Sequence, residues 1–302
     1  RTGQPLKDVG MGLQMIRKGK IRLLPEVVRP PRRAAPMEKT GNPIAYYPGC
    51  SLHSMAAEFD HSTRAVAAAL DLILVEPEGW VCCGSSPAHR ADPHLSLKLP
   101  LQNLALIEQM ELDEVALPCA ACFNRFKSAQ HEAARDPALK AEVEKEIGYS
   151  AQKQIAVRSL LDVMVNRVGV EAMRTKTARP LAGLKVACYY GCLLSRPPAI
   201  TGEENPEYPL MMDHLISALG ATPLDWGGKT ACCGASLSAT RTDIALNLTG
   251  KILDMARAAG ADVVAVACPL CHTNLDGRQH QIPPPSPIGR GAGGEGAIPV
   301  LY

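Results

Sequence analysis

Eleven cysteines give this 302-residue sequence its chemistry, and ten of them fall into two copies of one pattern. The first copy runs Cys50, Cys82-Cys83 and Cys119-x-x-Cys122. The second runs Cys192, Cys232-Cys233 and Cys268-x-x-Cys271. The spacers are 31 and 35 residues in the first copy and 39 and 34 in the second. Agreement of this kind marks an internal repeat. Thiolates at Cys-x-x-Cys spacing chelate zinc or iron–sulfur clusters. A structural zinc takes four ligands, and each copy offers five. Adjacent cysteines share one peptide link, which makes it awkward to aim both sulfurs at one small tetrahedral ion. A multi-iron body can accept the two sulfurs at different irons, so the Cys-Cys pairs favour a cluster. Zinc at one or both sites is the weaker alternative. Disulfides would leave an odd cysteine in each copy and suit an oxidising compartment. Cys188 stands outside the scheme and reads as a buried residue of a strand.

The elements that must position these sulfurs repeat as well. "IAYYPGC" before Cys50 and "VACYYGC" before Cys192 each read as a short buried strand ending in a glycine turn. A helical period follows the first, through Phe59, Thr63, Val66, Leu70 and Ile73. A second helix follows each Cys-Cys-Gly, marked by Leu97, Leu101, Leu104 and Ile107 and by Leu248, Ile252, Met255 and Ala259. Each copy closes with an apolar run into its Cys-x-x-Cys. The order is strand, helix, Cys-Cys loop, helix, strand, which predicts an α/β fold of two repeated Rossmann-like halves with short parallel sheets, related by a pseudo-twofold axis. Parallel strands gather the cysteine-bearing loops at one sheet edge. Expected boundaries are a first domain at 44–130, a mostly helical connector at 131–182 and a second domain at 183–302. Residues 283–296, "PPPSPIGRGAGGEG", form a Pro/Gly low-complexity segment.

The net charge of +2 is uneven. Residues 1–43 carry ten Lys/Arg against three acids, leaving 22 basic and 27 acidic residues in the rest. A mildly acidic body excludes nucleic-acid binding as a main role, and the leader reads as a linker or partner-docking strip. No run approaches a membrane span and no signal segment is present, so the expected location is the cytoplasm, with membrane association only through partners. The chain opens on Arg1 rather than Met, as a piece of a longer or fused protein would.

The doubled cysteine pattern, with "YYPGCSLH", "CCG", "CYYGC" and "CPLCHTNLD", resembles the B subunit of heterodisulfide reductase, of the cysteine-rich CCG-domain family, over residues 44–277. The leader "GLQMIRKGKIRLLPE" resembles the carboxy-terminal end of the C subunit, as in a C–B fusion. The resemblance implies two noncubane [4Fe–4S] clusters. One would be held by Cys50, Cys82, Cys83, Cys119 and Cys122, the other by Cys192, Cys232, Cys233, Cys268 and Cys271. It implies an oxidoreductase that cleaves, or in reverse forms, a disulfide between facing clusters. Electrons would come through the ferredoxin-like C-type partner from the flavin-containing A-type partner. A non-catalytic electron-transfer subunit of a lactate, glycerol-phosphate or succinate oxidation complex is the alternative. The low-complexity run before "PVLY" departs from the family pattern, so part of 278–297 reads as an insertion and closure of the second sheet is left open. His53 and His272 lie beside ligand cysteines, as candidate proton donors or as hydrogen-bonding supports. Gly84 and Gly234 are expected to let backbone approach sulfur, and Lys229 to be solvated.

Overall fold

The structure is a computed structural model that describes residues 42–282 and 297–302. The expectations for the basic leader through residue 41 and for the low-complexity run 283–296 lie outside the described residues. Two four-stranded parallel sheets share one strand order. In the first, β1 (Asn42–Tyr46), β2 (Leu72–Val75), β3 (Glu114–Leu117) and β4 (Ala156–Ser159) lie in the order β2-β1-β3-β4. In the second, β5 (Lys185–Tyr189), β6 (Thr222–Pro223), β7 (Val263–Val266) and β8 (Val300–Leu301) lie in the order β6-β5-β7-β8. Register is the same in kind, Ala45 pairing Val115 and Ala187 pairing Val264. The central strands are apolar on both faces because helices cover both.

Alternation along β1 divides its side chains between two cores. Ala45 and Tyr47 face α4 (Pro93–Gln109) and α5 (Ala120–Arg135), packing with Leu104, Ile107 and Phe126. Ile44 and Tyr46 face the opposite side, with Leu52 of α1 (Gly49–Leu52) and Phe59 and Ala67 of α2 (Ala57–Ala69). The second half repeats the division. Ala187 and Tyr189 pack with Ile252, Leu253 and Ala256 of α12 (Thr242–Ala258), whereas Val186, Cys188 and Tyr190 pack with Met212 and Ile216 of α11 (Met211–Ala218). Between these stand α3 (Ser85–Ala91), α6 (Pro137–Ile147), helical segments across 160–176 (α7 and α8), α9 (Cys192–Ser195) and α10 (Pro198–Thr201), and α13 (Pro269–Leu275) completes the set. The α6 ends are chemically marked: the Asp136 carboxylate accepts from Leu139 N at 2.9 Å ahead of Pro137, and Gly148 closes the helix at φ 73°.

Three sequence expectations need correction. The helical period predicted through Leu70 and Ile73 stops at Ala69, and Ile73 lies in the all-apolar strand β2, where it falls on the helical phase by coincidence. The strands β2 and β6 precede the Cys-Cys loops and were absent from the expected order. β6 is two residues long and ends on a proline, too short to show a period. Third, the expected connector 131–182 supplies β4, which pairs with β3 throughout (Glu114 with Ala156 to Leu117 with Ser159), so it belongs to the first sheet. Closure of the second sheet is settled by the carboxy-terminal strand: Val300 and Leu301 pair with Val264 and Ala265.

Candidate metal centres

In each sheet the strand order reverses between the two central strands, β1 and β3 or β5 and β7, which is where such sheets open a crevice at their carboxyl ends. The chain leaves β1 through Pro48 and Gly49 into α1 with Cys50, and leaves β3 through Cys119, the residue before α5, whose first turn bears Cys122. Cys192 after β5, and Cys268 and Cys271 after β7, repeat this placement. The Cys-Cys pairs enter from the loops that follow β2 and β6.

Sulfur meets sulfur within and between the copies. Cys82 Sγ lies 3.8 Å from Cys50 Sγ, and Cys83 Sγ 3.3 Å from Cys122 Sγ. In the second copy Cys233 Sγ lies 3.5 Å from Cys271 Sγ, and Cys192 and Cys232 are neighbours that perturb each other's thiols. Across the halves, Cys119 Sγ and Cys268 Sγ meet at 3.9 Å, both buried. Cys50, Cys82 and Cys232 are exposed. Cys188 is fully buried on the other face of β5, beside Asp213, and burial pushes its thiol up.

The sharing of protons drives some of these sulfurs toward thiolate. The contacts Cys83 shares with Cys122 and Cys82 pull it down to about 4, and the one Cys232 shares with Cys192 pulls it down to about 6. Cys268 is held well below the ordinary thiol range by Cys119 and Cys271. Their partners move the other way: the same shared protons and burial hold Cys50, Cys119, Cys122, Cys192 and Cys271 above the ordinary thiol range, so ligation, which needs thiolates, must release those protons.

Repeated polar contacts fix the loops. Tyr47 Oη donates to the Val81 carbonyl at 2.8 Å, and Tyr189 Oη to that of Ala231 at 2.6 Å, in each case the residue just before Cys-Cys. Asn103 adds a two-way bond to Val81 (both 2.9 Å), and Asn274 Nδ2 donates to the Cys233 carbonyl at 2.9 Å. Asn124 joins the halves, donating to the carbonyls of Leu193 (3.1 Å) and Arg196 (3.0 Å). Sequence reasoning missed these supports, although a tyrosine three residues before the first cysteine in both copies was a visible signal.

The glycine expectation holds at Gly234, whose backbone N–H donates to Cys232 Sγ at 3.4 Å. A Cβ on Gly84 would meet Ala88 Cβ at 2.5 Å, and one on Gly234 would meet Ala245 Cα at 3.0 Å, so these glycines admit helices. Sulfur is also approached at Gly49 and Gly191, where a Cβ would lie 3.1 Å from Cys122 Sγ and 3.3 Å from Cys271 Sγ, both at positive φ. Lys229 is also corrected. It is buried, its Nζ 2.6 Å from Asp213 Oδ1 and 4.2 Å from the centre of the Tyr208 ring. The acid and the ring make burial tolerable, and nothing local in the sequence announces either. Of the two histidines, His272 Nε2 donates to the Val300 carbonyl at 3.0 Å and its ring stacks on Tyr302. That contact anchors β8. His53 Nε2 faces Glu76 Oε1 at 3.0 Å.

The donor set fits a cluster better than an ion. Four sulfurs at about 2.3 Å from one zinc would all lie under about 4 Å apart. Among the described residues, the trio of His, Cys, Asp or Glu ligand atoms that converges within 4.8 Å is His94, Glu142 and Glu146, and it contains no cysteine. The cysteines approach in pairs, as a larger body with several irons requires.

The same two stretches of chain carry a family likeness. The family described as "Cysteine-rich domain" (CCG) matches residues 44–127 and 186–276. The chain belongs to this family. It is 34% identical, over 77% of its length and 81% of the relative's, to the 8-methylmenaquinol:fumarate reductase membrane anchor subunit of Wolinella succinogenes. It is 28% identical, over 86% of both chains, to the B subunit of the ferredoxin:CoB-CoM heterodisulfide reductase of Methanosarcina mazei. The resemblance to the heterodisulfide reductase B subunit therefore extends over most of the chain. A hypothetical protein from Helicobacter pylori has a similar fold, with a TM-score of 0.68 at 13% identity; the match covers all of this chain and 53% of that one. Among the described residues no helix is long and apolar enough to cross a membrane.

Proposed function

We propose that this CCG chain is the catalytic B-type subunit of a heterodisulfide-reductase-like complex, acting on a disulfide or its thiols. Cys50, Cys82, Cys83, Cys119 and Cys122 would hold one noncubane [4Fe–4S] cluster, and Cys192, Cys232, Cys233, Cys268 and Cys271 the other. The observation that carries the reading is the 3.9 Å contact between Cys119 and Cys268, by which the two five-sulfur sets share an edge. Cleaving a disulfide takes two electrons and two protons and yields two thiols, a task suited to two adjacent one-electron centres. When bound, the clusters would supply those electrons and Lewis-acidic iron.

The chain's own residues have separable tasks. Buried Cys83, Cys119, Cys268 and Cys233 keep the shared edge away from water, while exposed Cys50, Cys82 and Cys232 leave an open end on each set. Tyr47 and Tyr189 hold the Cys-Cys loops to the sheet. No flavin or nicotinamide fingerprint occurs in the sequence, so electrons would arrive from a ferredoxin-like C-type partner and a flavin-containing A-type partner. The working location would be cytoplasmic, with attachment to a membrane through partners.

A second reading, an electron-transfer component of another redox complex, is favoured by the 34% identity to a protein of a fumarate reductase. One experiment separates the two. The chain is purified anaerobically, assayed for iron and acid-labile sulfide, reduced with an artificial donor, and offered a panel of low-molecular-weight disulfides. Two thiols per disulfide consumed supports catalysis. Full iron without thiol release, together with reduction of a quinone-linked acceptor complex, supports the relay. Zinc without sulfide overturns both.

A further inference from the structure

At the open end of each set, one side chain ties the short cysteine-bearing helix to the Cys-Cys loop. The residue after α1 is His53, three beyond Cys50, and it reaches Glu76 at 3.0 Å. Glu76 lies at the base of the first Cys-Cys loop. Its Oε1 also accepts from Trp80 Nε1 at 2.8 Å, two residues before Cys82, and its Oε2 from Arg64 Nη2 at 2.6 Å. The residue after α9 is Arg196, four beyond Cys192. It donates to Thr230 Oγ1 at 2.9 Å, two residues before Cys232, and is paired with Glu207. The two fastenings thus occupy equivalent places in the repeat and share no chemistry: the hub of the first is an anion, that of the second a cation.

We infer that Glu76 and Arg196 are the positioning residues of the two metal sites, setting the spacing of Cys50 to Cys82 and of Cys192 to Cys232 and biasing the reduction potential of each site in opposite directions. The inference rests on the cluster reading above for its electrochemical part alone. Reduction adds negative charge to a cluster, so a nearby carboxylate opposes it and a guanidinium favours it. The other charges at each end are Asp60 and Arg64 at the first, beside the His53 ring, and Glu207, Lys229 and Asp213 at the second. They remain in place when only the hub is neutralised, so each substitution isolates one sign.

The test uses the full chain purified anaerobically, with potentiometric titration followed by electron paramagnetic resonance. Signals are assigned to a site by their loss in Cys83→Ser or Cys233→Ser. Glu76→Gln should move the first site's midpoint to a more positive potential and leave the second unchanged. Arg196→Gln should move the second site's midpoint to a more negative potential and leave the first unchanged. Unchanged midpoints, or both sites moving together in either variant, would overturn the inference. If the wild-type chain holds no iron, the cluster reading fails separately. The fastening is then tested on the same protein by bridging thiols with dibromobimane. Glu76→Gln should lower the Cys50–Cys82 bridge several-fold and spare Cys192–Cys232, and equal bridging would reject the idea.

Discussion

Tyr46 occupies the place in β1 that Cys188 occupies in β5, and around this exchange the two halves brace their sulfurs by different means. In the first half Tyr46 Oη donates to Asp60 at 2.9 Å, and Asp60 is paired at 2.8 Å with Arg64, whose side chain is 37% exposed. In the second half the phenol comes from Tyr190, one residue before Gly191, and donates to Asp213 at 2.7 Å. Asp213 is paired with Lys229, 2% exposed. A phenol, a carboxylate and a cation recur, but they come from different positions, and one cation is partly exposed where the other is sealed. The sulfurs themselves keep their strand-end placement. Sulfur placement is thus held narrowly by the repeat, while the bracing drifts as long as each buried polar group keeps a partner.

The largest way to break this equivalence is to remove a sulfur. Cys83→Ser should take away about half the iron and leave the second set loaded, and Cys233→Ser should do the converse, because serine offers a hard oxygen where thiolate is wanted. Disulfide turnover should fall by more than the roughly 100-fold typical of an outer-shell change in either variant. Iron analysis and thiol release measure both. Full iron in Cys83→Ser would show that the Cys-Cys pair is packing.

The sulfurs were legible in the sequence because chemistry fixed both their type and their spacing, and the central strands because they are short, fully apolar and end at those sulfurs. What escaped was set by tertiary contact. Nothing near Lys229 in sequence reveals Asp213, sixteen residues away, or the Tyr208 ring that covers its ammonium. β4 was read as connector because only Ile155 and Val157 mark its apolar side, within a charged and helical neighbourhood. Gly234 meets sulfur through its backbone N–H as its place after Cys-Cys suggests, but the helix packed beside Gly84 and Gly234, and the second pair of glycines against sulfur, Gly49 and Gly191, are set by tertiary contact.

The braces should differ in energy as they do in burial. Lys229→Ala leaves the Asp213 carboxylate buried without its cation and should cost about 3–5 kcal/mol of stability. Arg64→Ala leaves a carboxylate as buried as Asp213 but removes a cation that is 37% exposed, so it should cost clearly less, about 1–2 kcal/mol. Denaturant titration of the reduced chain under anaerobic conditions measures the two. Equal costs would mean that the burial contrast between the halves has no energetic content. Close to the smaller value fall Gly49→Ala and Gly191→Ala. Each places a Cβ at positive φ, at about 1–2 kcal/mol, against a sulfur of its own set. Each should therefore lower iron at one site only.

The smallest expected effect concerns the eleventh cysteine. Cys188 is fully buried among Val186, Tyr190, Met212 and Ile216, on the face of β5 away from Tyr189 and the ten paired sulfurs. Were it a ligand, its sulfur would have to cross the sheet, which the alternation of β5 forbids. Serine is close in size, and Asp213 offers its hydroxyl an acceptor in place of the thiol. Cys188→Ser should therefore cost about 1 kcal/mol and retain the iron and sulfide of both sites. Loss of half the iron from this variant would make Cys188 part of the second site and leave Tyr46 without the counterpart on which the comparison of the two halves depends.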